Sequence, residues 1–314
     1  MKKINLGFSG FWPEFQADNN CFTNILKERY EVVFSDEPDY VFCSCFSRDY
    51  LQNEGIRIYY TGECLCPDFN LFDYAIGYDY LNFGDRYFRM PNFFLDEYEQ
   101  DVALLLSKHL DNENIIKSKG EFCSFVVSKG DEYVDRKRED IFRMLSQYKK
   151  VNSGGRFLNN IGEPEGVPDK LAFQKQHKFA IAFENTSHAG YATEKIVQAF
   201  AAKTVPIYWG DPLIENVFNP EAFINCHKYD SFADVVCEVA RIDQDDAAYQ
   251  RMINAPALIN QNLIEETRQS LRAFLFHIFD NEYEAAFRRD RVGYGRKYND
   301  SLKEKERRRR WLWF

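Results

Sequence analysis

The chain has 314 residues, which is enough for two domains or for one large α/β domain. Its hydrophobic fraction of 45% supports a sizeable core, and its formal net charge of −9 argues against a general nucleic-acid-binding protein. Residues 288–314 nevertheless carry 11 Lys and Arg against 4 Asp and Glu, a net charge of +7, so that the rest of the chain carries −16. An acidic body with a basic end predicts an interaction tail.

No segment predicts export or membrane insertion. The first residues, MKKINLGFSGFW, contain a basic pair and a short, interrupted apolar run, which indicates a strand rather than a signal peptide. No run of 18 apolar residues occurs, so we expect a cytoplasmic protein with reduced thiols. Two C-x-C pairs, Cys43/Cys45 and Cys64/Cys66, lack the spacing usual for structural zinc, which makes zinc the less favoured interpretation.

The N-terminal part alternates between strand-like and helix-like segments. Apolar runs joined by short polar connections are typical of a parallel sheet with helices on its faces. The predicted elements are a strand at 3–11, a helix at 21–32, strands at 39–46, 56–63 and 74–79, and a linking helix within 96–120.

A second alternation begins near residue 121. Its predicted elements are a strand at 122–128, a helix at 135–148, a Gly-rich loop VNSGGRFLNNIG, a strand at 179–183, a helix at 193–202, strands in VPIYWGD and AFINC, and helices at 232–242 and 260–280. Two β/α halves therefore meet near residue 120. Ligands of such folds bind in the crevice outside the carboxyl ends of the strands.

The segment KFAIAFENTSHAGYATEKIVQAF, residues 178–200, places many polar side chains between a buried strand and an amphipathic helix. Thr193 is a good N-cap, and the unpaired N–H groups of a helix start favour an anion. Lys195 adds a positive charge there, and the carboxylate of Glu194 can accept hydrogen bonds from the vicinal hydroxyls of a ribose. These features predict a nucleotide site, although neither a P-loop nor a G-x-G-x-x-G motif occurs. The alternative is an ordinary capped helix with a solvated Glu–Lys pair.

The same segment, extended to FENTSHAGYATEKIVQAFAAKTVPIYWGDP, resembles the donor-binding motif of α-1,3-fucosyltransferases, glycosyltransferase family 10. The resemblance covers nearly all of residues 1–285 and is strongest to bacterial members. Other segments that carry it are FWPEFQADNN, SDEPDYVFCSCF, YYTGECLCPDFNLFDYAIGYDYLNFGDRYFRMP and VNSGGRFLNNIG.

The resemblance implies an α/β fold of the GT-B type, in which two Rossmann-like β/α/β domains face a central crevice. Residues 1–120 are then expected to form the acceptor-binding domain, residues 121–287 the GDP-fucose-binding domain, and residues 288–314 a basic, aromatic-ended tail. The implied reaction transfers fucose from GDP-β-L-fucose, with inversion, to galactosyl-N-acetylglucosamine acceptors of the Lewis antigen type, such as those of lipopolysaccharide O-antigen.

The tail ends in SLKEKERRRRWLWF. Its cations suit an anionic lipid surface, and its Trp-Leu-Trp-Phe end suits the membrane interface. We therefore expect reversible, peripheral association with the inner face of the membrane, with a disordered end as the alternative.

The resemblance also assigns donor-site residues. Arg138 stands in the family's order of arginine, helix and Gly-rich loop and matches its pyrophosphate-binding arginine, although Arg136 and Lys137 are close enough to confuse the register. The predicted donor-binding residues are Arg138, Asn185, Tyr191, Thr193, Glu194 and Lys195.

Glu63, in YYTGE, matches the glutamate that is proposed as the family's catalytic base, and Tyr60 is an acceptor-side candidate. Inverting transfer needs one base opposite the leaving GDP. Cationic side chains and a helix N-terminus can stabilise the leaving diphosphate, so no metal cofactor is required, although Mg²⁺ or Mn²⁺ can assist. The metal-dependent alternative is an Asp-x-Asp pair, which Asp243 and Asp245 offer.

Two other functions stay open at this point. One is a transferase that uses a different nucleotide sugar, and the other is a non-catalytic, membrane-associated protein that binds a sugar or nucleotide. A pure binding protein has no use for a catalytic base, so the presence of Glu63 favours a transferase over a binding protein. The choice between 1,3 and 1,4 linkage depends on pocket shape, which the sequence does not reveal.

Overall fold

The computed structural model describes residues 1–107, 118–130 and 136–311. Of residues 310 and 311 it describes the backbone alone. The chain divides into two α/β units. The first consists of Met1–Asp96 and the segment from Ile264 onward, and the second of Glu97–Leu263. Each unit is built on a parallel sheet, which confirms the predicted α/β class with two Rossmann-like domains. Among the helices described, none is long and apolar enough to cross a membrane.

The first unit contains a six-stranded parallel sheet with the strand order β2-β1-β3-β4-β5-β6. Its strands are β1 (Lys2–Ser9), β2 (Tyr30–Phe34), β3 (Tyr40–Cys43), β4 (Ile56–Tyr60), β5 (Tyr74–Gly77) and β6 (Tyr87–Arg89). Every residue of β3, β4 and β5 is buried. Apart from Arg57, these strands consist of apolar and aromatic residues without alternation, because a parallel sheet is covered on both faces.

The second unit contains a five-stranded parallel sheet with the order β11-β10-β9-β7-β8. Its strands are β7 (Glu121–Phe125), β8 (Val151–Ser153), β9 (His177–Phe183), β10 (Val205–Trp209) and β11 (Ile224–Asn225). β9 and β10 are neighbours in register, with Phe183 opposite Trp209. Their carboxyl ends therefore lie side by side, and this edge carries the polar segment that the sequence singles out.

The helices flank these sheets. They are α1 (Cys21–Lys27), α2 (Glu99–Leu106), α3 (Lys137–Tyr148), α4 (Lys170–Lys175), α5 (Glu194–Ala201), α6 (Phe232–Gln244), α7 (Asp246–Asn254), α8 (Leu263–Asp280), α9 (Tyr283–Ala286) and α10 (Tyr294–Trp311). Local capping explains where several of them begin. Asn20 Oδ1, for example, accepts hydrogen bonds from the backbone N–H groups of Phe22 and Thr23 at the start of α1.

The observed division of the chain differs from the predicted boundaries at residues 120 and 287. The chain leaves the first unit after Asp96, and α8 returns to it. The apolar face of α8 explains the return, because Phe279 is fully buried with its ring centroid 4.4 Å from that of Tyr40 and 5.9 Å from that of Tyr30. Most of α8 therefore packs with the first unit rather than with the second.

The described part of the tail also belongs to the first unit. Arg289 forms an ion pair with the buried Asp73. Asn299 Oδ1 accepts a 2.8 Å hydrogen bond from the buried Arg57, and Lys303 Nζ lies 2.9 Å from Glu54 Oε1. From Tyr294 to Trp311 the tail is thus helical. The Trp-Leu-Trp-Phe end lies outside the described side chains.

Candidate functional site

The polar segment joins β9 to α5. Thr193 occupies the N-cap position of α5 with an extended backbone, as predicted, but its side chain makes no capping hydrogen bond. The hydroxyl instead donates to the carboxylate of Glu184, at 2.6 Å. Buried apolar residues, among them Ile196 and Phe200, hold the helix on the sheet. The helix start is therefore fixed by packing and by Glu184.

Glu184 follows the last residue of β9 and is fully buried. Its Oε1 accepts a 2.8 Å hydrogen bond from the backbone N–H of Thr193. Its Oε2 accepts bonds from Thr193 Oγ1 and, at 3.0 Å, from Lys195 Nζ. A buried charge is tolerated when it is paired and hydrogen-bonded in this way. Sequence reasoning gave Glu184 no role, although a carboxylate directly after an apolar strand was a usable signal.

A glycine on the neighbouring strand makes room for this carboxylate. Gly210 follows β10, and a Cβ at this position would lie 2.4 Å from Glu184 Cγ. Real Cβ atoms do not approach other carbons so closely, so the position requires glycine. The glycine that follows Trp209 in the sequence motif is thereby explained by close packing.

Arg138 reaches the same residue from α3. It is buried, and its Nε donates a 3.1 Å hydrogen bond to the backbone carbonyl of Glu184. Its two basic neighbours point elsewhere: the side chain of Arg136 is largely exposed, and Lys137 Nζ lies 5.6 Å from the ring centroid of Phe232. The structure thus brings Arg138, rather than Arg136 or Lys137, to Glu184 at the start of the polar segment.

Lys195 and Glu194 form an ionised pair beside this carboxylate. Their Nζ and Oε1 atoms are 3.4 Å apart, and each side chain is 23% exposed. Burial by itself lowers the pKa of Lys195, but the charges of Glu184 and Glu194 outweigh it and raise that pKa above its usual value. Burial likewise opposes ionisation of Glu194, yet Lys195 and then Lys170 hold its pKa well below the usual value.

Lys170 is a further cation near this pair that sequence reasoning missed. It is the first residue of α4, and its Nζ donates a 2.7 Å hydrogen bond to Gln198 Oε1 on α5. Gln198 in turn donates to Asp101 Oδ2 on α2, at 3.0 Å. Burial lowers the pKa of Lys170. Lys170 thus belongs to a polar network that extends from α5 to α2.

Two buried oxygen atoms at this edge have no hydrogen-bond partner among the residues described, Asn185 Oδ1 and Asp211 Oδ2. They follow the adjacent strands β9 and β10. The other carboxylate oxygen of Asp211 accepts 2.8 Å bonds from the backbone N–H groups of Gly190 and Leu213. Buried acceptors are normally satisfied, so these two atoms suit the hydroxyl or N–H groups of a ligand. Asp211 was not predicted from the sequence. Tyr191, which was predicted, is buried in the loop between β9 and α5.

Glu63 lies in the first unit, three residues after the end of β4, and is exposed. Its backbone N–H donates a 3.0 Å hydrogen bond to Thr61 Oγ1, which fixes the turn. Tyr60, predicted on the acceptor side, is fully buried, with its ring edge-on to Phe22 at a centroid distance of 5.2 Å. This burial argues against contact between Tyr60 and an acceptor.

The Asp-x-Asp alternative has a structural explanation. The side chain of Asp243 is nearly buried and forms ion pairs with Lys178 Nζ at 2.8 Å and with Lys149 Nζ at 3.1 Å. Asp245 caps α7 through a 2.9 Å hydrogen bond from the backbone N–H of Ala248. Both carboxylates have structural partners, which disfavours the hypothesis that they form a metal site.

Comparison with known proteins places these features in context. The model of the α-(1,3)-fucosyltransferase FucT N-terminal domain matches residues 6–96, and the model of the glycosyltransferase family 10 (fucosyltransferase) C-terminal region matches residues 116–263. The chain is 31% identical over 325 residues to the α-(1,3)-fucosyltransferase FucT of Helicobacter pylori, and the match covers 89% of this chain and 66% of that protein. The chain thus spans just under two thirds of that relative's length.

Solved structures agree with these matches. A crystal structure of an α1,3-fucosyltransferase is similar, with a TM-score of 0.75 and 28% identity over 90% of this chain and 91% of that one. A crystal structure of an α1,3-fucosyltransferase with GDP-fucose is similar as well, with a TM-score of 0.68 and 26% identity over 90% of this chain and 92% of that one.

Proposed function

The chain belongs to glycosyltransferase family 10, and we propose that it transfers L-fucose from GDP-β-L-fucose to the 3-hydroxyl of N-acetylglucosamine in N-acetyllactosamine-type, Lewis antigen acceptors. The observation that carries this proposal is the convergence of Arg138, Thr193 and Lys195 on Glu184 at the start of α5. A similar structure contains GDP-fucose, which supports this donor.

In this proposal the N–H groups at the start of α5, together with Arg138 and Lys195, hold the diphosphate. Glu194 accepts hydrogen bonds from the ribose, and Asn185 and Tyr191 contact the donor. The formal charges of Arg138, Lys195, Glu184 and Glu194 sum to zero. Recognition of the diphosphate therefore depends on oriented donors and the helix N-terminus rather than on a large excess of positive charge.

The chemistry assigned to Glu63 is general base catalysis. Its carboxylate takes the proton of the acceptor hydroxyl while that oxygen attacks C1 of fucose from the face opposite GDP. The bond between C1 and the β-phosphate oxygen breaks, its electron pair leaves with GDP, and the β-linkage of the donor becomes an α-linkage in the product. The proposed mechanism requires no metal cofactor, although Mg²⁺ or Mn²⁺ can assist departure of the free diphosphate.

Product analysis tests the proposal. The full chain is incubated with GDP-fucose and, separately, with lactose and the type 1 and type 2 disaccharides, and the linkage of any product is determined. We expect a 1,3-linked fucose on the type 2 disaccharide. A 1,4-linked product from type 1 would change the linkage assignment. If the protein used another nucleotide sugar but not GDP-fucose, it would be a transferase with a different donor. If it bound GDP-fucose without transferring fucose, it would be a non-catalytic binding protein.

We also propose a cytoplasmic enzyme that associates reversibly with anionic membrane surfaces through its tail. The exposed side chains of Arg307, Arg308 and Arg309 near the end of α10 support this. Deletion of residues 301–314 is expected to reduce binding to anionic liposomes. A triple variant, R307Q/R308Q/R309Q, removes three positive charges and keeps the ion pair between Lys303 and Glu54. Unchanged liposome binding by both variants would contradict the membrane proposal.

A further inference from the structure

A cluster of large apolar side chains is exposed on the loop between β5 and β6 of the first unit. Tyr80 is 46% exposed, and Leu81 and Phe83 are each 42% exposed. We call these three residues the aromatic platform. Single exposed apolar residues are common, but several of them on one loop mark a binding surface in many soluble proteins.

Arginines hold the rings of the platform in place. The guanidinium of Arg89 lies 3.9 Å from the ring centroid of Tyr80, and its Nε donates to the carbonyl of Tyr78. The guanidinium of Arg86 lies 4.9 Å from the ring centroid of Phe83 and is itself held by three backbone carbonyls, those of Phe69, Phe72 and Asp73. Since these contacts order the rings before any ligand arrives, binding costs less conformational entropy.

Two thiol contacts connect the platform to the loop that carries Glu63. The Tyr78 hydroxyl donates a 3.3 Å hydrogen bond to Cys64 Sγ, and Cys66 Sγ donates a 3.2 Å bond to Asp79 Oδ1. Burial, together with Asp79, raises the pKa of Cys66 to about 11, so this thiol keeps the proton that it donates. The loop after β4 and the loop after β5 are therefore joined at the carboxyl edge of the first sheet.

We propose that Tyr80, Leu81 and Phe83 form a stacking surface for a pyranose ring of the glycan acceptor. This inference rests on the proposed function. A pyranose presents C–H groups on one face, and these pack favourably on the electron-rich face of an aromatic ring while the sugar hydroxyls stay in water. The joined loops favour a sugar as the occupant, because the loop that carries the platform is hydrogen-bonded to the loop that carries Glu63, the carboxylate assigned to the acceptor hydroxyl.

The test measures acceptor binding in Tyr80→Ala, in Phe83→Ala and in the double variant. With GDP-fucose saturating, we expect the KM for the type 2 disaccharide to rise about 2- to 12-fold for each ring removed, the range set by one aromatic contact. The KM for GDP-fucose should stay unchanged. Tyr80→Phe should restore the wild-type acceptor KM, because stacking needs the ring and not the hydroxyl.

Phe34→Ala is the matched control. Phe34 is also 42% exposed in the first unit, but it lies at the end of β2. This control should leave both KM values unchanged, and melting temperatures show whether all variants are folded. If the wild-type protein transfers fucose and the platform variants keep its acceptor KM, the platform assignment is wrong while the proposed function stands.

A binding measurement covers the case in which no transfer occurs. Titration of the type 2 disaccharide into the wild-type protein and the double variant, followed by ligand-observed NMR, requires no turnover. If the platform binds the disaccharide, the NMR signal should saturate with the wild-type protein. The dissociation constant should be at least about fivefold higher for the double variant, because two aromatic contacts are lost. No signal from the wild-type protein at millimolar disaccharide, or equal signals from both proteins, would overturn it.

Discussion

Two glutamates follow strands of the two parallel sheets, and their surroundings suit them to opposite roles. Glu184 comes directly after β9, is fully buried, and accepts hydrogen bonds from Thr193 and Lys195. Glu63 comes three residues after β4 and is exposed. A carboxylate whose lone pairs are occupied by donors is a poor proton acceptor, whereas an accessible carboxylate can take a proton from a substrate. The comparison teaches that burial and partners, rather than residue type, separate an organising carboxylate from a candidate base.

The largest effect is expected at the exposed carboxylate. Glu63→Gln should lower kcat by about 10²–10⁴-fold, because general base catalysis contributes about that much, and should leave the dissociation constant of GDP unchanged. Steady-state kinetics with GDP-fucose and calorimetry with GDP measure the two quantities. Glu37→Gln, at another exposed position of the first unit, is the control and should behave as wild type. Normal turnover by Glu63→Gln would refute its role as the base.

The buried carboxylate should instead affect stability. Glu184→Gln leaves the shape almost unchanged but removes the charge that pairs with Lys195, and breaking a buried ion pair costs about 3–5 kcal/mol. Denaturant unfolding of the full chain measures this change. Glu238→Gln, which removes an exposed pair with Arg241, should cost about 1 kcal/mol or less. Equal stability of the two variants would show that Glu184 does not organise the polar segment between β9 and α5.

The cations on Glu184 should determine nucleotide affinity. Arg138→Ala and Lys195→Ala should each weaken GDP binding by about 1.5–3 kcal/mol, the value of a hydrogen bond to a charged group. Calorimetric titration with GDP measures this loss of binding free energy. Lys149→Ala is the control, because it removes an ion pair with Asp243 and leaves the polar segment between β9 and α5 intact. Its affinity for GDP should equal that of the wild-type protein. If both donor-site variants bound GDP as tightly as this control, the assignment of Arg138 and Lys195 to the diphosphate would be wrong.

The smallest effect concerns Glu194 and pH. Its pKa is lower in the folded chain than the usual value of 4.5, so its ionised form stabilises the fold above that pH, and the contribution is lost as the pH falls further. An acidic residue in the first turn of a helix contributes about 0.3–1 kcal/mol. Glu194→Gln should therefore be slightly less stable than wild type at pH 7, and thermal unfolding should show the difference shrinking below pH 4.5. A difference that grew on acidification would contradict this sign.

Much of the fold was predictable because its signals are local. Uninterrupted apolar strands alternating with polar connections predicted two parallel α/β domains, and the GT-B class and the family are confirmed. The motif also placed Thr193 at the start of a helix, which the structure shows. The burial of Tyr60 was not predictable, because a strand buried on both faces has no alternation that distinguishes a core residue from one that faces a ligand.

The sequence by itself therefore determined most of the strands, the class of fold and the family, since apolar runs and motifs act over a few neighbouring residues. It did not reveal β2, β6 or β8, and residues 30–32 of β2 were expected in a helix. Only the tertiary structure decided which polar groups meet. Arg138 reaches Glu184 across 46 positions of the chain, and Gly210 makes room for the same carboxylate because β9 and β10 are adjacent in the sheet. The return of α8 to the first unit was decided in the same way, by a buried apolar face whose partners, Tyr30 and Tyr40, lie more than two hundred residues earlier. Such contacts depend on strand order and close packing, for which local sequence patterns carry no signal.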